Sequence, residues 1–375
     1  MRIDSAAGQD AWKLSNGETE LALTVNGGHM APVKFFAESD TPIEPYYVSP
    51  WQEESEPIDG PGVLTSLRGD FFCMPFGGDN SFKGEVHPPH GEVSESQWQY
   101  VDHSSGSESF IELKLRTQIR SGDVTKRISL KPGQSALYIS HRIEGFAGPV
   151  TLGHHAIMPG DRTHYLSTRP LITGITDTAP PPPSSGEHNS LPPGAFFDKL
   201  SAVPTIWKNP ASTDCSVFPA REGFVDIIQL FPEPPAGKEP MWFAAVVPEH
   251  GYLWYSLKSP EVLPSTVLWQ ENRGRHGAPW NGRNRRLGIE EVLAHLATGL
   301  KVSVDNNALT DRGLRTSMEL DGVTPLNVKN IQGVCRIPEG FDKVADVSFG
   351  PGLVEFRSDA GPAAEAAIDW EFVLD

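Results

Sequence analysis

The sequence predicts an all-β fold, specifically a large antiparallel β-sandwich, on three observations. Apolar and polar residues alternate with a period of two over residues 111–119, as in a strand with one buried face. Residues 124–130 and 137–143 repeat this alternation around a turn-forming Lys-Pro-Gly-Gln segment, which indicates an antiparallel meander. The 36 glycines and 34 prolines are what many turns between short strands require. Further strand-like segments are residues 20–25, 225–231, 241–247, 252–257 and 264–269.

One segment has helical rather than alternating periodicity. The apolar residues at helical spacing are Ile289, Val292, Leu293, Leu296 and Leu300. Gly299 is placed to end such a helix. The sequence therefore predicts a short helix near residues 289–299 that decorates the sandwich.

A proline-rich stretch at residues 178–194 interrupts the strand-like sequence. It includes four consecutive prolines, and strand-like sequence of the same style lies on both sides. We therefore expect residues 1–375 to form a single domain in which this stretch is a surface loop.

Composition excludes several classes of partner. A formal net charge of -17 argues against nucleic acid or an anionic membrane surface. No apolar run approaches the roughly 18 residues of a membrane-spanning helix, and no signal-peptide core follows the first residues. Cys73, Cys215 and Cys335 are odd in number and widely separated, which indicates no disulfide framework. We expect a cytoplasmic protein.

The first candidate site residue is Arg68, which precedes Gly69 and an apolar run that ends in Pro-Phe-Gly-Gly. Its guanidinium is a rigid fork of donors that suits hydroxyl groups or a carboxylate. An ordinary surface arginine at the beginning of a strand explains the same residues equally well.

The second candidate is His90, in the segment His-Pro-Pro-His-Gly at residues 87–91. The prolines and Gly91 give it a defined place on a loop, where its imidazole can donate or accept near neutral pH. A metal site with His87 is the alternative, but the prolines preclude the helical geometry that usually makes this spacing a metal signature. A loop histidine bonded to backbone is the other alternative.

Two adjacent histidines, His154 and His155, lie in a strand-like segment. Strand geometry points them to opposite faces. His155 shares its face with Thr151 and Gly153, which suits a surface lined by ligand, so His155 is the candidate site residue. His154 is then a core histidine with a satisfied hydrogen bond.

The last cluster is Glu290 and Glu291 at the start of the predicted helix. Acidic residues in the first turn are favoured by the helix dipole, and this explains Glu291 without a functional role. Glu290 becomes a site candidate when the four clusters are considered together.

The ordered clusters resemble the aldose 1-epimerase (galactose mutarotase) family and its hexose-phosphate mutarotase relatives. Arg68-Gly69, His90-Gly91 and His155 are similar to its arginine and histidine motifs, and Leu287-Gly288-Ile289-Glu290 to its glutamate segment. The resemblance spans about residues 20–373 and implies the galactose mutarotase-like supersandwich. The sequence departs from the family pattern after Glu290 and after His155. Asp198 and Asp226 are the candidates for the family's sugar-binding aspartate.

The resemblance also implies a mechanism. Glu290 is the base that takes the C1 hydroxyl proton, and His155 is the acid that protonates the ring oxygen. His90 and Arg68 orient the sugar. The sugar supplies its own reactivity, so neither an organic cofactor nor a metal is expected.

Aromatic and basic residues near Glu290 bear on the substrate. Trp269 and Trp280 are candidates to stack on a pyranose face, although tryptophans in β-proteins are commonly core residues. The arginines concentrated around them are Arg273, Arg275, Arg283, Arg285 and Arg286. We expect Arg273 and Arg275 to contact substrate and this loop to recognise an anionic aldose.

The leading interpretation is an isomerase that interconverts aldose anomers, as a monomer or homodimer. The alternative is a non-catalytic carbohydrate-binding or sensing protein on the same fold. A lyase or glycosidase is a third interpretation, but a glycosidase requires two carboxylates flanking the scissile bond. The sequence offers only Glu290 as a well-placed acid.

Overall fold

The computed structural model describes residues 1–54, 56–78, 80–106 and 108–375. The strands of the first half of the chain are β1 (Asp4–Ala6), β2 (Gln9–Ser15), β3 (Thr19–Thr24), β4 (Met30–Phe35), β5 (Phe72–Cys73), β6 (Asn80–Phe82), β7 (Glu85–His87), β8 (Gln99–Ser104), β9 (Ser109–Thr117), β10 (Gly122–Leu130), β11 (Ala136–Glu144), β12 (Ala147–Val150), β13 (Leu152–Pro159), β14 (His164–Thr168) and β15 (Leu171–Thr176). Those of the second half are β16 (Phe196–Phe197), β17 (Val203–Pro204), β18 (Ser212–Thr213), β19 (Val217–Phe218), β20 (Phe224–Pro232), β21 (Met241–Val247), β22 (Tyr252–Lys258), β23 (Ser265–Asn272), β24 (Arg285–Leu293), β25 (Met318–Asp321), β26 (Leu326–Arg336), β27 (Val344–Gly350), β28 (Leu353–Ser358) and β29 (Ala363–Ala367).

Helical structure is sparse. Within the described residues the one α-helix is α1 (Leu300–Val304). Single 3-10 turns occupy Pro50–Glu53, Gly62–Thr65, Glu92–Ser94, Pro183–Ser185, Leu200–Ala202, Pro248–His250, Thr310–Arg312 and Trp370–Val373. None of the described helices has the length and apolar character needed to cross a bilayer.

Two large antiparallel sheets face each other and enclose the main core. One has nine strands in the order β19-β14-β21-β22-β26-β11-β10-β9-β8. The other has seven in the order β16-β15-β20-β23-β24-β13-β5. The predicted all-β antiparallel sandwich is confirmed, and the meander predicted over residues 111–143 is β9, β10 and β11.

The strand period of two divides the side chains of the seven-stranded sheet between two environments. Leu287 and Ile289 of β24 join the core between the two large sheets. Val292 of β24 and Ile157 of β13 join a separate apolar cluster on the other face. We call this second face the outer face of the seven-stranded sheet, and the candidate site lies on it.

Two smaller sheets lie at the chain ends. Strands β1 to β4 form a four-stranded sheet near the N-terminus, and β27 to β29 form a three-stranded sheet near the C-terminus. The C-terminal sheet covers the nine-stranded sheet on its far side, where the rings of Phe356 and Tyr255 lie 5.0 Å apart. The N-terminal sheet adds residues such as Leu23 and Val33 to the main core, whereas the C-terminal sheet shields an apolar face that the sandwich itself leaves uncovered.

The helix predicted near residues 289–299 is wrong. Residues up to Leu293 belong to strand β24, and the short helix α1 begins only at Leu300. Strand β24 lies between β23 and β13 and is buried on both faces. Apolar residues therefore occur on both faces, and the alternation that identifies a strand is lost.

Because this segment is a strand, Glu291 has a different role from the one predicted. It is not an acid in a helical first turn but a buried strand residue that faces the sandwich interior. Its carboxylate pairs there with the equally buried Lys258 of β22 and accepts a hydrogen bond from Thr266.

The proline-rich stretch at 178–194 connects β15 to β16 and contains one 3-10 turn, Pro183–Ser185. It packs along the β23–β24 loop. His188 N donates to Gly274 O, and His276 N donates to Gly186 O. The single-domain organisation over residues 1–375 stays a prediction.

Candidate active site

The centre of the candidate site is the pair His155 and Glu290. Strands β13 and β24 are antiparallel neighbours whose register sets these two residues directly opposite each other. The distance between His155 Nε2 and Glu290 Oε1 is 3.2 Å, and both side chains are buried. Adjacent strands of one sheet thus fix the imidazole and the carboxyl group side by side.

Strand parity separates the two histidines as predicted. His155 lies on the outer face with Ile157, whereas His154 points into the sandwich core. His154 Nδ1 lies 2.9 Å from Asp70 Oδ2, so it is a core histidine with one satisfied ring nitrogen, while its Nε2 has no partner among the described residues.

Gly288 leaves the space that the pair occupies. A Cβ at this position would lie 2.6 Å from Glu290 Oε1, 3.0 Å from Trp269 Cβ and 3.4 Å from His155 Cε1. Real Cβ atoms do not approach other atoms at the first of these distances, so any side chain here would displace the Glu290 carboxyl group.

A stack of three rings supports His155 from the side. The Phe71 ring lies between His29 and His155, with centroids 4.2 Å and 4.6 Å away. His29 Nε2 lies 2.8 Å from the backbone oxygen of Ser94 and donates to it. All three rings are buried, so the His155 ring plane is set by packing rather than by solvent.

His90 reaches the same site from a loop. Its backbone has φ of 63°, its N–H donates to Gly77 O, and its carbonyl accepts from Met74 N. The His90 ring meets His155 edge-on with centroids 5.1 Å apart, and among the described residues its Nδ1 has no hydrogen-bond partner.

Aromatic side chains form the wall of the site. Trp269 of β23 and Trp280 of the β23–β24 loop are nearly perpendicular, with ring centroids 5.8 Å apart. Trp269 also meets His155 edge-on at 5.8 Å. They line a cavity of about 110 Å³ together with His90, His155, Glu290, Arg275, Ile227, Ala297, Val63, Leu64 and Leu67.

Of the five arginines in the loop region, Arg275 is the one that lines this cavity. Its Nε lies 3.1 Å from Glu187 Oε1 and 3.8 Å from Glu271 Oε2, so two carboxylates offset its charge. Glu187 belongs to the proline-rich loop, and sequence analysis did not identify it or Glu271.

The remaining arginines do not line the cavity. Arg273 and Arg285 both pair with Glu222, and Arg283 pairs with Glu54, all at partly exposed positions. Arg286 is fully buried behind the tryptophans. The sequence prediction that Arg273 contacts substrate therefore finds no support in its position.

Arg68 also lies away from the cavity. Its Nη1 donates to Ala6 O, and its Nη2 donates to Ala7 O and to Gln52 Oε1, each at 2.8 Å. The guanidinium is therefore hydrogen-bonded to the β1–β2 turn. This turn lies more than 60 residues away in the sequence, so no local pattern reveals the contact.

The two aspartates considered for sugar binding lie elsewhere. Asp226 accepts hydrogen bonds from the backbone N–H groups of Ser190 and Leu191 and so holds the proline-rich loop. Asp198 lines a different cleft, beside Lys199 and Lys343.

The metal alternative at His87 and His90 does not fit the geometry. His87 Nε2 lies 3.0 Å from Glu85 Oε2, away from the cavity that His90 lines. In the described part of the chain no group of three or more histidine, cysteine, aspartate or glutamate side chains is arranged to hold a metal ion.

Burial controls the protonation of the pair. It raises the pKa of the Glu290 carboxyl well above its ordinary value. It also lowers the pKa of the His155 imidazole well below its ordinary value, and the nearby His90 lowers it further. Desolvation lowers the pKa of His90 to about 4. Both shifts therefore favour the neutral forms of the pair, a protonated carboxyl and an unprotonated imidazole.

Comparisons with known proteins extend the interpretation of the fold. No protein-family model matches the chain, and no curated protein matches it in sequence. Among solved structures, a galactose mutarotase-like protein from Clostridium acetobutylicum is similar with a TM-score of 0.58 at 10% identity, covering 90% of this chain and 98% of its own. A galactose mutarotase related enzyme from Lactobacillus acidophilus gives a TM-score of 0.54 at 11% identity, covering 86% and 97%.

At such identities the likeness concerns the fold, and it extends over most of each chain. The chain has the fold of the galactose mutarotase-like proteins.

Proposed function

We propose that the chain is an isomerase of the aldose 1-epimerase type that interconverts sugar anomers by acid–base ring opening. The observation that carries the proposal is the buried His155–Glu290 pair, 3.2 Å apart beside a cavity with a tryptophan wall. The mutarotase-like names of proteins with this fold support the same function.

The reaction uses the two side chains as follows. The Glu290 carboxylate takes the proton of the C1 hydroxyl as the bond from C1 to the ring oxygen breaks, and the electron pair of that bond goes to the ring oxygen. The protonated His155 imidazole delivers a proton to this oxygen and releases an open-chain aldehyde. Rotation about C1–C2 followed by the reverse transfers gives the other anomer, so protons balance over the cycle.

The directions in which burial moves the two pKa values fit this scheme. A neutral Glu290 with a neutral His155 holds the same single proton as a Glu290 carboxylate with a His155 imidazolium. Moving that proton across the 3.2 Å between Glu290 Oε1 and His155 Nε2 prepares the reactive form without exchange with solvent.

The remaining cavity residues have binding roles. Trp269 and Trp280 offer apolar faces against which a pyranose ring packs. His90, whose Nδ1 has no hydrogen-bond partner among the described residues, orients a sugar hydroxyl. Arg68 and Arg273 have no such role in the proposal because both are bonded elsewhere.

Arg275 is the residue that would bind the negative charge of an anionic aldose. It is the loop arginine that lines the cavity, and Glu187 and Glu271 offset its charge. We therefore propose neutral aldoses as the first substrates, with anionic aldoses as the comparison set.

A non-catalytic sugar-binding protein is the second candidate. The observation that favours it is the cavity of about 110 Å³, which Val63, Leu64 and Leu67 restrict. Pockets that enclose drug-sized ligands span roughly 300–1,000 Å³. A sugar enters only if Val63, Leu64 and Leu67 move aside. An enzyme has to repeat this movement in every catalytic cycle, whereas a binding protein can release its sugar slowly.

Polarimetry of anomer exchange across a panel of neutral and anionic aldoses separates the two candidates, with sugar affinity measured in parallel. We expect acceleration by the wild-type protein and a loss of roughly 100-fold or more in kcat for Glu290→Gln. Glu222→Gln is the matched control because Glu222 is exposed and outside the cavity. Sugar binding without acceleration for any aldose would establish the binding protein instead.

A further inference from the structure

Arg286 is a charged residue whose complete burial is not explained by the stability of the fold alone. It lies on β24 on the same face as Gly288 and Glu290, and it is fully buried. Strand pairing sets it opposite Glu271 of β23, another buried residue on that face.

Aromatic rings surround its guanidinium. The guanidinium carbon lies 3.8 Å from the ring centroid of Trp280 and 4.4 Å from that of Trp269. The rings of Trp51 and Tyr47 follow at 5.4 Å and 5.5 Å. A guanidinium attracts aromatic faces electrostatically, and the attraction is stronger where water is excluded.

Its hydrogen bonding is poor by comparison. Nη1 donates to Ser49 Oγ at 3.3 Å, whereas Nε and Nη2 have no acceptor among the described residues. A buried charge with few partners destabilises a fold, and an apolar side chain of similar size fills such a space at lower cost. The charge of Glu271 offsets part of this cost. An apolar side chain would need no such compensation, so stability alone does not account for an arginine at this position.

We propose that Arg286 is a positioning residue that holds the indoles of Trp269 and Trp280 as the wall against which the sugar packs. The inference rests on the proposed function, because it assigns these two rings to sugar binding. The planar cation contacts both rings, which are perpendicular to each other, and so fixes the corner that they form.

The charge of Arg286 also reaches the acid–base pair. Its positive charge is one of the causes, after burial and His90, that lower the pKa of His155. Burial lowers the pKa of Arg286 itself to about 9, so it remains a cation at neutral pH. The residue therefore acts on the aromatic wall and, more weakly, on His155.

Two substitutions separate shape from charge. Arg286→Lys keeps a cation but loses the planar group that stacks on both rings. Arg286→Met keeps much of the apolar volume and loses the charge. For both we expect sugar Kd and KM to rise by roughly five- to tenfold with kcat within about threefold. In Arg286→Met the pH limb set by His155 moves upward, whereas in Arg286→Lys it stays in place.

A double-mutant cycle with Trp280→Leu tests whether Arg286 acts through the wall. The effects of Arg286→Lys and Trp280→Leu on sugar Kd are expected to be strongly non-additive, since the first variant has little left to hold once the ring is gone. This cycle carries the test if Arg286→Met fails to fold.

The outcomes are distinguishable from those of the proposed function. If the wild-type protein binds sugars without accelerating anomer exchange, the proposed enzymatic function is wrong. The role of Arg286 in the tryptophan wall can then still be tested through the sugar Kd. Lower melting temperatures with unchanged Kd, KM and pH limb would reduce Arg286 to a structural residue and overturn the inference. Additive effects in the cycle, or a wild-type protein that binds no sugar, would also overturn it.

Discussion

At the residue scale, the site depends on which side chains share the outer face of the seven-stranded sheet. His155 is placed there by strand parity, which the sequence makes visible through the glycine and threonine beside it. Glu290 faces the same side, although the sequence suggested a helix at that point. Strand parity therefore selects His155, whereas Glu290 became a candidate through the ordered set of motifs and the family resemblance rather than through its local pattern.

The long-range partners that decide whether a residue belongs to the site leave no trace in the sequence. Arg68 is committed to backbone oxygens of Ala6 and Ala7, a contact that depends on how the N-terminal sheet packs. Phe71 and His29 support His155 from separate segments. Contacts of this kind follow from tertiary packing, and neither periodicity nor spacing encodes them.

Gly288→Ala tests the geometry of the pair. The new methyl group would lie 2.6 Å from Glu290 Oε1, so the carboxyl group has to move away from His155. We expect kcat to fall by roughly 100-fold, while the free energy of unfolding falls by only about 1–3 kcal/mol. Steady-state kinetics and urea unfolding measure the two effects.

Gly277→Ala is the matched control for this substitution. Gly277 lies in the nearby loop, and a Cβ there would meet no atom within 4 Å. Equal kinetics for both alanine variants would contradict the proposed arrangement.

The pH dependence of kcat reports the proton shared by the pair. Full activity requires one proton on His155 and Glu290 together. The second proton adds only below the lowered pKa of His155, and the last one leaves only above the raised pKa of Glu290. We therefore expect a broad plateau, with an acid limb well below pH 6.5 and an alkaline limb above the usual range of a glutamate.

The Glu290→Gln variant tests whether the alkaline limb belongs to Glu290, because glutamine does not titrate and the residual activity should then lack this limb. An alkaline limb that persists unchanged in this variant would assign that limb to another group.

At the element scale, β24 and the proline-rich loop decide the character of the cavity. Strand β24 is buried on both faces, and its apolar residues Ile289, Val292 and Leu293 fall by chance at helical spacing. The meander β9 to β11 of the nine-stranded sheet was predicted correctly, and its strands β9 and β10 keep the alternation. Strands β21, β22 and β23 are also buried on both faces and were predicted, so burial alone does not hide a strand. Strand β24 was missed because Gly288 and two glutamates interrupt its apolar run.

The proline-rich loop carries Glu187, whose carboxylate partly neutralises the positive charge of Arg275. Both side chains are about one-fifth exposed, so the ion pair is only partly screened. We expect Glu187→Gln to tighten binding of anionic aldoses by about two- to fivefold relative to neutral ones, because the guanidinium loses a competing carboxylate. Isothermal titration at two salt concentrations measures the ratio.

Glu222→Gln removes the partner of Arg273 and Arg285 and serves as the control. An equal gain in this control would place anion recognition outside the cavity.

At the scale of the whole molecule, the two large sheets are joined by polar as well as apolar contacts. The all-β class and the antiparallel sandwich were predictable from period-two patterns and turn composition. The C-terminal sheet of β27 to β29 was not singled out, because alanine, serine and glycine in its strands weaken the contrast between apolar and polar positions.

The pair Lys258–Glu291 connects the nine-stranded sheet to the seven-stranded sheet. Lys258 Nζ also donates to Ser265 O, and both charges are almost fully buried. We expect Lys258→Met to lower the free energy of unfolding by about 3–5 kcal/mol, because it leaves the Glu291 carboxylate without its cation.

The double variant Lys258→Met/Glu291→Leu is expected to recover most of that loss, since no unpaired charge remains. Urea unfolding of the wild type and the three variants, including Glu291→Leu alone, gives the comparison. A single Lys258→Met variant as stable as wild type would show that the pair does not hold the sheets together.

The central claim is that His155 and Glu290 act as one acid–base unit on an aldose. Its most direct test is two-dimensional exchange NMR of anomer interconversion at equilibrium, with Glu290→Gln, His155→Asn and the double variant. We expect each single variant to lose nearly as much rate as the double variant, as residues acting as a unit do. Losses that simply add, or variants that exchange anomers as fast as wild type, would contradict the claim.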